Sequence, residues 1–260
     1  MTYPAYSNKY TELVCTGAID EETKRLVRIH PLPKRYLDEE NDFRTFQRAR
    51  VRWQHNRHDP RPESMRVDFR TVEPLDVIAA KEQTRRRSYV ETSPSMAASV
   101  EELQDLNRRF KTSLGIVVPK EIVDVKVRRR TEEERQEWLA TESTFLSQKT
   151  LEFVRPPKRI AFPEAEFIVW FRCNDSRCTE PHRMSLKSWP IHEGYRKMVE
   201  KGDPDRDGKA LAQMEAEFDL AKRDVFLFLG TFHNHQTTFG LMDAYRPKKM
   251  KAEAQMDLFK

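Results

Sequence analysis

Val225-Phe226-Leu227-Phe228-Leu229-Gly230 is apolar at every position. A strand reads that way when both of its faces are covered, so this segment is the expected central strand. Residues 239–242 (FGLM) follow as its partner, across a connection that carries His233 and His235. Upstream, residues 165–173 (AEFIVWFRC) form a second strongly apolar strand, and 184–186 a short third. Between them and the central strand, Leu211, Met214, Phe218 and Ala221 recur at helical spacing, which predicts a helix over 207–222.

Further towards the N-terminus, two helix starts are marked by capping boxes. Thr131 with Glu134 opens one, and Ser99 with Glu102 opens another ahead of Leu103, Leu106 and Phe110. Residues 115–118 and 122–130 read as strands, the latter with Val123, Val125 and Val127 inward. Residues 77–89 read as a helix ending in Arg85, Arg86 and Arg87, cations that suit a helix C-terminus. Residues 58–70 carry two prolines and several charges and read as a loop. Residues 48–55 (RARVRWQH) alternate, with Arg48, Arg50, Arg52 and Gln54 on one face and Ala49, Val51, Trp53 and His55 on the other. Residues 12–19 and 26–30 form a hairpin about a turn at 20–23, stopped by Pro31 and Pro33. Helices do not alternate regularly with strands, so the expected class is α+β, with a mainly antiparallel, barrel-like sheet and several helices. A basic, β-rich part over 1–115 and an α+β part over 116–260 are the expected domains. The proline-rich stretch at 155–163 is a second boundary, and a single domain is the alternative.

Composition narrows the function classes. The 260 residues carry 47 Lys and Arg against 42 Asp and Glu, a net charge of +5, which permits a nucleic-acid partner. With only 7 glycines there is no GxGxxG and no GxxxxGK[ST], which removes the two commonest phosphate-binding loops. No apolar run is long enough for a membrane helix, and residues 1–10 are polar, so neither a span nor a secretory leader is expected. Three cysteines, Cys15, Cys173 and Cys178, are too few for a disulfide scaffold and point to reduced thiols in the cytoplasm.

The most specific chemical feature is Cys173-x4-Cys178-x3-His182, in a turn-rich loop just past a strand end. Two thiolates and an imidazole this close are ligand types that zinc prefers. His233 and His235 are the leading candidates for a fourth ligand, with His192 and Cys15 behind them. The same residues also suit an ordinary surface loop.

Residues 24–70 hold 13 Lys and Arg against 7 acids, and eleven of those cations are arginine. Arginine's planar fork suits phosphates and base edges. Arg48, Arg50, Arg52, Arg57, Arg61 and Arg66 are therefore the candidate nucleic-acid contacts, against the plainer reading of a solvated sheet face. Candidates for general acid–base work are His55, Asp59 and Glu63, which cluster near one loop, together with His233 and His235. The same loop reads equally as an ion-paired, proline-stiffened plug. The leading expectation is a nucleic-acid-binding accessory protein beside a nuclease or modification enzyme. An enzyme acting on nucleic acid or nucleotides, and a structural subunit docking an acidic protein, are the alternatives.

Several segments together resemble a family of uncharacterised bacterial proteins. They are Tyr3-Pro4 and residues 9–16 (KYTELVCT), 27–33 (VRIHPLP), 59–64 (DPRPES), 112–115 (TSLG) and 224–231 (DVFLFLGT), spread over nearly the whole chain. Members carry acidic residues beside the tryptophan matched by Trp189, where this chain has Ser188 and Pro190. The resemblance implies no activity. It does imply that the loop around Arg61–Ser64 belongs to a shared architecture.

Overall fold

A computed structural model describes residues 1–6, 14–29, 32–56, 59–147, 158–232 and 234–250. The chain is α+β, with five α-helices among the described residues and three open sheets. In the first sheet, β1 (Thr16–Ile19) and β2 (Leu26–Ile29) pair antiparallel about a turn that Asp20 closes by accepting from the Thr23 N–H and hydroxyl. β4 (Ser64–Val77) then lies parallel to β2, and β3 (Gln47–His55) pairs antiparallel with β4 on the outer edge. In the second sheet, β5 (Met96–Ala97) and β6 (Leu114–Val117) are parallel, joined by α2 (Val100–Phe110). A parallel pair needs such a crossover. β6 pairs antiparallel with β10 (Phe226–Phe232), and β10 with β11 (His235–Tyr245). The third sheet is antiparallel: β7 (Pro119–Arg129), β8 (Ala165–Cys173) and β9 (His182–Leu186). The remaining helices are α1 (Gln83–Glu91), α3 (Glu132–Ser147), α4 (Trp189–Glu200) and α5 (Arg206–Phe218).

The central strand is β10, as its two-sided apolarity requires, and α5 and β8 fall where periodicity places them. The barrel-like expectation is corrected: the strands form three separate sheets rather than a closed one, and two of the three contain a parallel pair. Residues 64–70 are strand, not loop. Their charges hide the alternation, because Arg66, Asp68 and Arg70 occupy the outer face while Val67 is buried. A register shift between Asp68 and Glu73 then breaks the two-residue period. The helix expected over 77–89 begins six residues later, since Val77 still belongs to β4. Its three arginines therefore fall in the first half of α1. There Arg85 pairs with Asp76 and Glu82, Arg86 bonds the Ile78 carbonyl, and Arg87 pairs with Glu91 and Asp224. Val123 is exposed rather than inward, because β7 bulges between Ile122 and Asp124, while Val125 stays buried.

The larger core is built by Phe167, Val169, Phe171, Leu186, Met214, Phe218, Leu227, Leu229 and Leu241, where β8 to β11 meet α2, α4 and α5. α2 seats tightly on β6 at Gly115, where a Cβ would overlap Leu103. A smaller cluster of Leu26, Val90, Leu114, Ile116 and Phe226 joins the first sheet to the second. Among the described residues no helix is long and apolar enough to cross a membrane.

Candidate metal centre and basic ribbon

Cys173 is the last residue of β8 and His182 the first of β9, and Phe171 faces His182 in the register. The strand pair thus brings both ends of the intervening loop together. Cys178 turns back within it: the Cys173 N–H donates to Cys178 Sγ at 3.2 Å, and Cys178 Sγ lies 3.4 Å from His182 Nε2. A fourth group arrives from elsewhere in the chain. Glu101, in the first turn of α2, places Oε1 3.0 Å from His182 Nε2. The ligand atoms of Glu101, Cys173, Cys178 and His182 all lie within 4.8 Å of one another.

The loop is held against the head of α2. Ser99 caps the helix by accepting from the Glu102 N–H, and its hydroxyl donates to Asp175 at 2.7 Å. Arg177 bridges Asp175 and Asp105. Burial pushes the Cys173 thiol up to about 12; the Val100 N–H opposes this, and the neighbouring Cys178 and Glu101 add to it. Glu101 Oε2 is buried without a hydrogen-bond partner. In a tetrahedral zinc shell, neighbouring ligand atoms stand about 3.3–3.8 Å apart, given metal–ligand bonds of about 2.0–2.3 Å. The observed separations approach that spacing, so the residues present are compatible with a metal site.

Among the described residues, the other candidate ligands lie apart from this group. His235 is exposed at the start of β11. His192 is buried, bonded through Nε2 to the Leu186 carbonyl at 3.2 Å and packed against Tyr3 and Phe167. Cys15 neighbours Arg28. His233 lies outside the described residues. Glu101 escapes a sequence reading because it stands 72 positions from Cys173. Its one local signal is a place in a well-capped first helical turn.

The arginines of the first sheet fall into three groups. Arg48 is clamped by Glu21 and Asp76, and Arg50 by Glu73. Arg61 is buried in a two-bond pair with Asp59 and also donates to the Thr231 carbonyl. Arg52 and Arg66 are exposed on the β3–β4 ribbon, and no ion pair holds either side chain among the described residues. Arg70 is exposed two positions after Asp68, its guanidinium near the Phe69 ring. Arg57 lies outside the described residues. Trp53 is 47% exposed, with the His55 ring edge-on at 5.3 Å.

Among the described residues, the acid–base candidates do not converge on an open site. Asp59 and Glu63 are committed to bonds. Burial would raise the Asp59 pKa, but Arg61 and Ser64 outweigh it and hold the carboxylate at about 2. Glu63 accepts from both the N–H and the hydroxyl of Ser113. Beside them, fully buried Arg28 bonds Ser64, Ser113 and the Thr231 carbonyl. The loop over 59–64 is a buried polar plug joining the first sheet to the second. His55 and His235 are both exposed, on different sheets.

The fold and this site define a two-part α+β protein with a Cys/Cys/His/Glu cluster in its C-terminal part. Residues 95–260 match the family described as a domain of unknown function, DUF8757, and the chain belongs to it. Residues 1–92 match a second domain of unknown function, DUF8758. No curated protein and no solved structure matches the chain.

Proposed function

We propose that this chain binds nucleic acid through the outer face of the β3–β4 ribbon, with a structural zinc held by Glu101, Cys173, Cys178 and His182. The observation that carries the first part is that Arg52 and Arg66 share one exposed face of the ribbon, where Gln54 pairs with Arg66, and that no ion pair holds either among the described residues, whereas Arg48 and Arg50 on the same strand are paired. Such cations retain their charge for phosphates. A working role beside a nuclease or modification enzyme fits a chain whose own acid–base candidates are committed or dispersed.

The test is fluorescence anisotropy with labelled single- and double-stranded DNA and RNA. R52Q/R66Q should weaken binding to every sequence and flatten the log–log salt slope by about 0.7–0.9 per lost contact. Unchanged affinity and slope would remove the ribbon from the proposal. For the metal, the four protein ligands leave no open position, which is the pattern of a structural site. Elemental analysis should find about one zinc per chain after mild purification; metal-free protein that cannot take up zinc would refute that part.

A further inference from the structure

The two thiols of the metal centre are not equally sheltered. Cys173 ends β8 inside the larger core and is 3% exposed. Cys178 is half-buried and lies in the 174–181 loop, outside any strand or helix. Its Sγ accepts from the Cys173 N–H at 3.2 Å, and the two sulfurs stand within 4.8 Å of each other. All three cysteines of the chain are free thiols, and Cys15 is outside the cluster. The centre therefore sets one sulfur that solvent reaches beside one that it does not. In such a pair the first oxidation product is a sulfenic acid, and the neighbouring thiol condenses with it before it oxidises further.

A disulfide needs its sulfurs at about 2.05 Å. The strand fixes Cys173, so Cys178 must make the approach. Its loop is restrained by polar ties: Asp175 accepts from the Ser99 hydroxyl at 2.7 Å, and Arg177 bridges Asp175 and Asp105. The Arg177 pairs are partly exposed, and such pairs restrain a loop only weakly.

We infer that Cys178 and Cys173 form a thiol switch, closing on each other in response to a hydroperoxide and giving up the metal they hold. The inference rests on the zinc reading above and adds its regulation. The Cys178 thiolate attacks a peroxide oxygen; an S–O bond forms, the O–O bond breaks, and the departing hydroxide takes a proton from solvent. The Cys173 thiolate then attacks the Cys178 sulfur; the S–S bond forms, the S–O bond breaks, and a second hydroxide leaves and is protonated. Two electrons pass from the sulfurs to hydrogen peroxide, which ends as two waters. A disulfide no longer offers the thiolates that zinc needs, and Glu101 with His182 is half of a tetrahedral set. The link between the head of α2 and the β8–β9 loop is lost with the metal.

The test adds equimolar hydrogen peroxide to the zinc-loaded full chain. A chromophoric chelator reports freed zinc, and peptide mass mapping locates any new bond. Zinc should leave in step with formation of the Cys173–Cys178 bond, while Cys15 stays reduced. The melting temperature should fall by about 5 °C or more, and amide exchange should accelerate over Val100–Phe110. Dithiothreitol with added zinc should reverse all of these changes. Zinc retained with both thiols reduced, Cys178 oxidised without a bond to Cys173, Cys15 oxidised first, or a Cys173–Cys178 bond that leaves the zinc in place would each overturn the inference. A chain that cannot hold zinc at all would refute the zinc reading instead. The thiol pair then stands or falls on whether peroxide closes the Cys173–Cys178 bond in the metal-free chain.

Discussion

At the scale of one residue, His192 sets a pH limit on stability. Its ring is buried, packed on Tyr3 and Phe167 and bonded to the Leu186 carbonyl. Burial is the main reason its pKa falls to about 4. The Leu186 bond and Glu166 act against that, while Lys187 and Arg130 act with it. In the unfolded chain the ring titrates near about 6.5. Between the two values the unfolded state binds the extra proton, so the stability is whole above about pH 6.5 and declines as pH falls towards 4. At pH 5 the loss amounts to about 2 kcal/mol. Urea unfolding of wild type and His192→Phe at pH 7.5 and pH 5 checks this. Phenylalanine cannot be protonated, so the variant should lose less stability on acidification, by about that amount. An equal loss in both proteins would show that other groups control the acid limb.

At the scale of elements, what was legible in the sequence was local, and what was not came from distant pairing. The start of α2 could be read because Ser99 and Glu102 cap it within four residues. β8 and β10 could be read because burial on both faces leaves no polar interruptions. β4 could not, since a bulge and an outer row of charges erase its period. α4 has only a weak start signal, Pro190 in its first turn, where proline favours a helix, with no side-chain cap at Ser188. Cys173, Cys178 and His182 were visible as a spacing, but Glu101 meets them only because α2 packs beside the β8–β9 turn. That junction makes a prediction about α2 as a unit. If zinc joins Glu101 to the loop, Cys178→Ser should lower the melting temperature by about 5 °C or more. Amide exchange should accelerate over Val100–Phe110 and Cys173–His182, and the nucleic-acid affinity proposed for the β3–β4 ribbon should be unaffected. A variant that melts as wild type does, with protection unchanged, would leave the cluster without a structural role.

At the scale of the whole molecule, the two family regions meet through a polar junction rather than an apolar seam alone. Arg28, Glu63 and Arg61 on one side bond Ser113 and Thr231 on the other, and Leu26 adds an N–H to the Ser95 hydroxyl. The apolar cluster of Leu26, Val90, Leu114, Ile116 and Phe226 crosses the same boundary. Separating the halves would strip the Arg28 side chain of its bonds to Ser113 and Thr231, and the Glu63 carboxylate of its bonds to Ser113. Undocking is therefore coupled to unfolding, and the wild-type chain should melt in a single calorimetric transition. The Asp59–Arg61 pair allows this to be probed without touching the apolar contacts. Arg61→Met leaves the Asp59 carboxylate buried without its cation, a change that costs about 3–5 kcal/mol in such settings. Asp59→Asn combined with Arg61→Met removes the stranded charge and should recover most of that loss, because the penalty lies in the unpaired ion more than in the missing pair. The single variant should still melt once, at a lower temperature. Two resolved transitions would mean that the regions fold independently, and a single variant as stable as wild type would mean that this plug does not hold them together.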